Sequence, residues 1–73
     1  MFEELQEIVW SYTGNRDVTI TNETLLLSDI GLNSIELIDM LSEVEERFDI
    51  EILDRAISRL RTVQDLLDYL SEQ

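Results

Sequence analysis

Apolar residues recur every three or four positions along the first dozen residues, and glutamates fall between them. The apolar positions are Phe2, Leu5, Ile8, Val9 and Tyr12. Such spacing is typical of an amphipathic helix, which we expect from about Phe2 to Tyr12, closed by the Thr-Gly-Asn stop at 13–15. Trp10 lies off the apolar face, so we expect it to be half exposed.

The longest apolar repeat predicts a second helix from Ser34 to about Phe48. Its apolar positions are Leu37, Leu41, Val44 and Phe48, and the face is widened by Ile38 and Met40. A second stripe at the same spacing is acidic and consists of Glu36, Asp39, Glu43 and Glu46. Like charges at these spacings disfavour a helix by a few tenths of a kcal/mol per pair, so helix stability does not explain the stripe.

Two shorter patterns follow. Leu53 to Leu60 predicts a helix of two turns with apolar positions at Leu53, Ala56, Ile57 and Leu60. Thr62 and Asp65 have the spacing of a capping box, which predicts a last helix ending near Leu70. The buried side of that helix is expected to be Val63, Leu66, Leu67 and Leu70.

The region from Arg16 to Asn33 has no helical pattern. Residues 17–21 and 48–52 both alternate like strands, but two short strands are marginal without a third. We therefore predict a long ordered loop whose apolar side chains enter the core at Ile20, Leu25, Leu26 and Ile30. The expected fold is all-α: one domain over residues 1–73, a small four-helix bundle with a long ordered loop between helices 1 and 2 and a short third helix.

Composition restricts the chemistry. The chain has 73 residues, of which 44% are hydrophobic, enough for one small core. It contains neither cysteine nor histidine, so it lacks the usual nucleophile–base pairs and the usual metal ligands. No glycine-rich nucleotide motif is present either. We predict that the chain is not an enzyme and holds no metal.

Charge points to the kind of partner. Seventeen acidic residues against five arginines give a formal net charge of −12. Such a charge repels nucleic acid and anionic lipid and attracts basic surfaces, although acidity also serves solubility alone. No apolar stretch is long enough to span a bilayer, and the N-terminus carries acidic residues where a signal peptide carries basic ones. We expect a cytoplasmic monomer that does not insert into membranes.

Ser34 is the candidate functional residue. A serine at a helix start is usually a cap, but Asn33, followed by Glu36, has the spacing of a capping box. If Asn33 caps the helix, the hydroxyl of Ser34 is released into solvent. The positive end of the helix dipole would there favour a phosphate-containing group.

Three stretches carry a resemblance to a known family. They are "DIGLNSIELIDML" at 29–41, "EERFDIEI" at 45–52 and "TVQDLLDYL" at 62–70. They resemble the acyl carrier protein family, whose pattern is D-x-G-x-D-S-L, an acidic helix, and E-E-x-F-x-I-x-I. The resemblance covers nearly the whole chain. Asn33 stands where the family has aspartate, which caps equally well but adds a charge.

The resemblance implies a carrier of acyl groups. A 4′-phosphopantetheine arm, derived from coenzyme A, would be attached to Ser34 and would hold its cargo as a thioester. Basic patches on a phosphopantetheinyl transferase and on acyl-processing enzymes would dock onto the acidic stripe: Glu36, Asp39, Glu43 and Glu46. That stripe is otherwise a solvated face. The acyl chain would be sheltered by residues that are otherwise ordinary core, namely Ile38, Val44, Ile57 and Leu60.

Two alternatives stay open: an aminoacyl or peptidyl carrier, and an unmodified acidic helical module that binds basic partners. Arg55, Arg59 and Arg61 also stand where fatty-acid carriers are typically acidic. They either balance charge locally, with Asp54 nearby, or select partners from another pathway such as polyketide synthesis.

Overall fold

The computed structural model describes residues 1–72 and contains four α-helices there. They are α1 (Phe2–Thr13), α2 (Ser34–Phe48), α3 (Asp54–Ile57) and α4 (Val63–Ser71). The prediction of a small all-α bundle with a long loop between the first two helices and a short third helix is confirmed. No helix in this part of the chain has both the length and the apolar character needed to cross a membrane.

The core lies where α1, α2 and α4 meet. The buried helical side chains are Leu5, Ile8 and Val9 from α1, Leu37, Met40, Leu41 and Val44 from α2, and Val63, Leu66 and Leu70 from α4. The predicted apolar faces of these helices are confirmed with two kinds of exception. Ile38, which was expected to widen the apolar face of α2, is 50% exposed. Four further positions pack only partly buried against the core: Phe2, Tyr12, Phe48 and Leu67. Each helix thus contributes one apolar stripe and leaves its polar face to solvent.

The predicted stop of α1 is also confirmed. Gly14 adopts a left-handed conformation (φ 69°), and its N–H donates to the carbonyl of Trp10 at 2.9 Å. This conformation favours glycine, so the stop is built into the sequence. Trp10 is half-buried as expected, and its indole N–H donates to the carbonyl of Val18 at 2.9 Å.

The long loop is fixed to the segment that enters α4. The N–H of Leu26 donates to the carbonyl of Arg61 at 2.9 Å, and the N–H of Val63 donates to the carbonyl of Thr24 at 3.0 Å. These bonds surround an isolated antiparallel bridge between Leu25 and Thr62. Within residues 1–72, the strand-like patterns at 17–21 and 48–52 form no sheet. The loop is therefore ordered by contacts with α4 rather than by a hairpin.

Three of the four predicted loop anchors are buried: Ile20, Leu26 and Ile30. The prediction for Leu25 was wrong, because its side chain is 41% exposed. Leu25 lies at the bridge position, directly before a run of turn residues, and its side chain stays at the surface. Leu26 enters the core and is fully buried, whereas Leu25 and Leu27 on either side of it are exposed.

Helix α3 is shorter than the predicted span from Leu53 to Leu60. It has four residues, no side-chain N-cap and no buried residue. After it, the N–H groups of Arg59 and Leu60 bond to carbonyls three residues back, which is the tighter 3₁₀ pattern. The apolar spacing alone cannot distinguish this chain of turns from a helix.

Helix α4 begins with the predicted capping box. The hydroxyl of Thr62 accepts from the N–H of Asp65 at 3.1 Å, and a carboxylate oxygen of Asp65 accepts from the N–H groups of Thr62 and Arg61, each at 3.1 Å. These two backbone hydrogen bonds stabilise the charged form, so they lower the pKa of Asp65. The free energy of unfolding therefore depends on whether the Asp65 carboxyl is ionised.

We expect Asp65→Asn to have a lower melting temperature than the wild type at neutral pH. The difference between the two melting temperatures should become smaller in acid. A depressed folded-state pKa stabilises the fold above the ordinary value of 3.8, and this stability is lost as the pH falls through the folded-state value. Thermal melts followed by circular dichroism between pH 7 and pH 3 measure this difference. Asp17→Asn, at an exposed loop position, is the matched control. A difference in melting temperature that does not change with pH would contradict a stabilising role of the ionised Asp65 carboxylate.

Candidate functional site

A tight turn leads the chain into α2. The N–H groups of Gly31 and Leu32 both donate to the carbonyl of Leu27, at 2.8 and 3.1 Å. Gly31 has φ 83°, a conformation in which a side chain would be strained. A carboxylate oxygen of Asp29 accepts from the N–H of Leu25 at 2.9 Å, which closes the preceding turn. The glycine and the aspartate of this segment thus set the path of the backbone toward the helix.

The predicted capping box at the start of α2 is present. The side-chain oxygen of Asn33 accepts from the N–H of Glu36 at 2.8 Å, and the N–H of Asn33 donates to the Glu36 carboxylate at 3.0 Å. Asn33 has the extended conformation of an N-cap residue, with φ −90° and ψ 176°. Capping is therefore done by the residue before Ser34.

Ser34 is the first residue of α2, and its side chain is exposed. Its hydroxyl makes no hydrogen bond with any residue of the 1–72 segment. The hydroxyl lies at the positive end of a helix of 15 residues, where several backbone N–H groups lack partners within the helix. The arrangement suits the attachment of an anionic group.

A largely apolar pocket of about 420 Å³ adjoins Ser34. Its apolar lining residues are Leu25, Leu27, Leu37, Ile38, Ile57 and Leu60. Its polar lining residues are Ser28, Ser34, Ser58 and Arg61. The volume is in the usual range for pockets that bind small organic molecules. Ser34 therefore has access to both solvent and an apolar space.

The structure brings three of the four predicted cavity residues into this lining: Ile38, Ile57 and Leu60. Val44 does not line the pocket and is fully buried in the core. The lining by Leu27 and Arg61 was not predicted from the sequence. Both lie outside any helix, where apolar periodicity says nothing about which way a side chain faces.

The predicted acidic stripe lies mostly in solvent. Glu36, Asp39 and Glu46 are exposed, whereas Glu43 is half-buried. The phenol of Tyr12 donates to the carbonyl of Asp39 at 3.0 Å. Burial raises the pKa of Tyr12, and so do the carboxylates of Glu43, Asp39 and Glu46. These three carboxylates therefore all lie near Tyr12, while Glu36 serves the cap.

The three C-terminal arginines are exposed and make no ion pair within the described chain. The ion pair found in residues 1–72 joins Arg16 to Glu7 at 2.7 Å. Arg61 lines the pocket beside Ser34, whereas Arg59 lines a separate cavity beside α4. The arginines thus occupy different surroundings, and no ion pair with Asp54 balances them.

Comparison with known families gives a match over nearly the whole chain. A family model described as a phosphopantetheine attachment site matches residues 3–70, from the first turn of α1 to the last turns of α4. Such a site holds covalent 4′-phosphopantetheine. The exposed hydroxyl at a helix N-terminus, beside a pocket with an apolar wall, fits a long group that begins with a phosphodiester.

Proposed function

Since the chain belongs to the phosphopantetheine attachment-site family, we propose that it is an acyl carrier protein and that Ser34 is its attachment residue. The observation that carries this assignment is the unpaired hydroxyl of Ser34, exposed where α2 begins and beside the apolar pocket. Attachment joins the side-chain oxygen of Ser34 to the phosphorus that bears the arm in coenzyme A; the diphosphate bond of coenzyme A breaks, adenosine 3′,5′-bisphosphate leaves, and the hydroxyl proton of Ser34 goes to a base supplied by the transferase. The arm supplies a thiol, on which cargo is held as a thioester.

The residues around Ser34 prepare the site for this group. Asn33 and Glu36 close the first turn, which fixes the direction in which the Ser34 side chain leaves the helix. The unpaired N–H groups of that turn stabilise an adjacent phosphodiester by about 0.3–1 kcal/mol. The chain itself orients and carries the group, and partner enzymes do the chemistry.

The pocket is proposed as the shelter for the cargo. Ile38, Ile57 and Leu60 present apolar surface beside the attachment residue, and each buried methylene contributes about 0.8 kcal/mol. An acyl chain folded back from the arm would cover this surface and would be kept from water. Fatty-acid and polyketide intermediates both have such chains, so both remain within the proposal.

Docking is proposed to use the acidic surface of α2. Glu43, Asp39 and Glu46 each raise the pKa of Tyr12, so all three place negative charge near that phenol. A partner with a basic patch would be steered to this surface and released quickly, which suits a shuttle. The proposed partners are a phosphopantetheinyl transferase and acyl-processing enzymes of fatty-acid or polyketide biosynthesis, met by a monomeric carrier in the cytoplasm.

We expect the double variant Asp39→Asn/Glu46→Gln to load its arm about three- to ten-fold more slowly than the wild type at low salt, because steering is weakened. The difference should largely disappear at high salt, where exposed charges are screened. Transferase kinetics at two ionic strengths measure the effect. The control Glu3→Gln/Glu4→Gln removes the same charge from exposed positions on α1. Equal slowing in both variants would show that net charge, rather than this surface, matters.

The central experiment is loading itself. The unmodified protein is incubated with coenzyme A, magnesium and a broad-specificity transferase, and its intact mass is measured. We expect the addition of one arm to each chain. The absence of any addition with several transferases would favour the alternative of an unmodified acidic interaction module. Once loaded, the arm can be offered fatty acyl and aminoacyl groups, which separates an acyl carrier from an aminoacyl or peptidyl carrier.

A further inference from the structure

Arg61 is held on the pocket wall by its backbone. Its N–H donates to the Asp65 carboxylate at 3.1 Å, and its carbonyl accepts from the N–H of Leu26 at 2.9 Å. Its guanidinium, in contrast, makes no hydrogen bond or ion pair within residues 1–72. The charge of Arg61 helps to lower the pKa of Asp65, but the N–H donors of its guanidinium are unused and remain available to a ligand in the adjoining pocket.

The charge of the lining is unusual for this chain. The sequence contains 17 acidic residues, yet among the described residues none of them lines this pocket, while one of the five arginines does. The other polar residues of the lining are Ser28, Ser34 and Ser58. The pocket therefore combines an apolar wall with a single positive charge, on a protein whose net charge is −12.

The serines of the pocket differ from those elsewhere. The hydroxyls of Ser11, Ser42 and Ser71 each donate to a carbonyl of their own helix, at 2.6, 3.1 and 2.9 Å. The hydroxyls of Ser28 and Ser58 have no partner within the described chain. Both are thus free to donate to an acceptor that enters the pocket.

We propose that the pocket selects an acyl cargo that ends in a carboxylate, the half-thioester of a dicarboxylic acid, and that the Arg61 guanidinium binds this carboxylate. The inference rests on the proposed attachment at Ser34 and adds the class of cargo. The apolar wall covers the methylene segment, and a guanidinium matches a carboxylate in shape and charge. A cargo with a neutral end gains nothing from Arg61.

The test compares two cargoes of equal carbon number, hexanoyl and adipoyl, loaded through a non-hydrolysable amide in place of the thioester. Nitrogen-15 NMR follows the backbone amides of Leu27 and Ile57 and the side-chain Nε–H of Arg61. We expect adipoyl to shift the Arg61 Nε–H signal, and Arg61→Gln to weaken adipoyl docking about five-fold, as for an exposed ion pair. Hexanoyl docking should not change. Arg55→Gln, which removes the same charge outside the pocket lining, should behave as the wild type.

Three results would overturn the inference while the arm is attached. An equal loss for both cargoes in Arg61→Gln would mean that Arg61 acts on the wall or on the phosphodiester of the arm. A shift of the Arg61 signal on attachment of the bare arm, with none added by adipoyl, would assign it to that phosphodiester. An equal effect of Arg55→Gln would assign the result to net charge. Failure of the arm to attach is detected beforehand by intact mass, and it would overturn the Ser34 proposal together with this one.

Discussion

Ser34→Ala is expected to abolish loading of the phosphopantetheine arm while leaving the fold unchanged. Alanine lacks the oxygen that forms the bond to phosphorus, so the expected loss is complete rather than partial. The fold should tolerate the change, because Asn33 and Glu36 provide the cap and alanine is a good helix former. Intact mass spectrometry measures loading, and circular dichroism measures the melting temperature.

The matched control is Ser28→Ala. Ser28 is exposed, lines the same pocket as Ser34 and lies outside any helix. We expect this variant to gain one arm like the wild type, because its hydroxyl is not placed at a helix start. Loading of Ser34→Ala, or loss of loading in Ser28→Ala, would move the attachment site away from Ser34. A change in stability greater than about 0.5 kcal/mol in either variant would point instead to a structural role.

The second large effect concerns the loop. Leu26→Ala is expected to lower the free energy of unfolding by about 2–5 kcal/mol, since it removes a fully buried side chain and leaves a cavity. A domain of this size is stable by about 4–11 kcal/mol, at roughly 0.05–0.15 kcal/mol per residue, so the loss is a large fraction of the total. Urea denaturation followed by circular dichroism gives the value.

Leu27→Ala is the control for this prediction, since it removes the same atoms from the neighbouring residue, whose side chain is 43% exposed. We expect its cost to be a small part of that of Leu26→Ala. Equal costs would mean that the loop is not anchored in the core by Leu26. The comparison also tests whether the long segment between α1 and α2 belongs to the folded unit, as its hydrogen bonds to the entrance of α4 indicate.

The sequence predicted the helices best where local chemistry marks their ends. Asn33 with Glu36, and Thr62 with Asp65, are capping boxes in the structure as in the pattern, and α2 begins at the predicted residue. Gly14 closes α1 for a similar reason. Such signals involve residues a few positions apart, so no knowledge of the tertiary fold is needed to recognise them.

The loop and the third helix were predicted less well, because distant partners decide them. The backbone of Leu25 pairs with Thr62, which lies 37 positions along the chain, and the side chain of Leu25 is exposed. Apolar character alone could not show whether Leu25 or Leu26 enters the core. The pocket poses the same difficulty: Ile38 and Ile57 come from separate elements, and Arg61 joins them through the loop contact. The attachment residue, in contrast, could be proposed from its immediate neighbours.

The hydrogen bonds between the loop and the entrance of α4 also set the mechanical character of the pocket. The wall that contains Leu25 and Arg61 is tied together by backbone bonds on both sides of the bridge, so it is stiff. Another part of the lining is Ile57, at the end of α3. Helix α3 is a single turn with no buried residue and no side-chain cap, so this part of the lining is more easily displaced. Acyl chains of different length would therefore be accommodated by displacement of α3, while the position of Ser34 at the start of α2 stays constant.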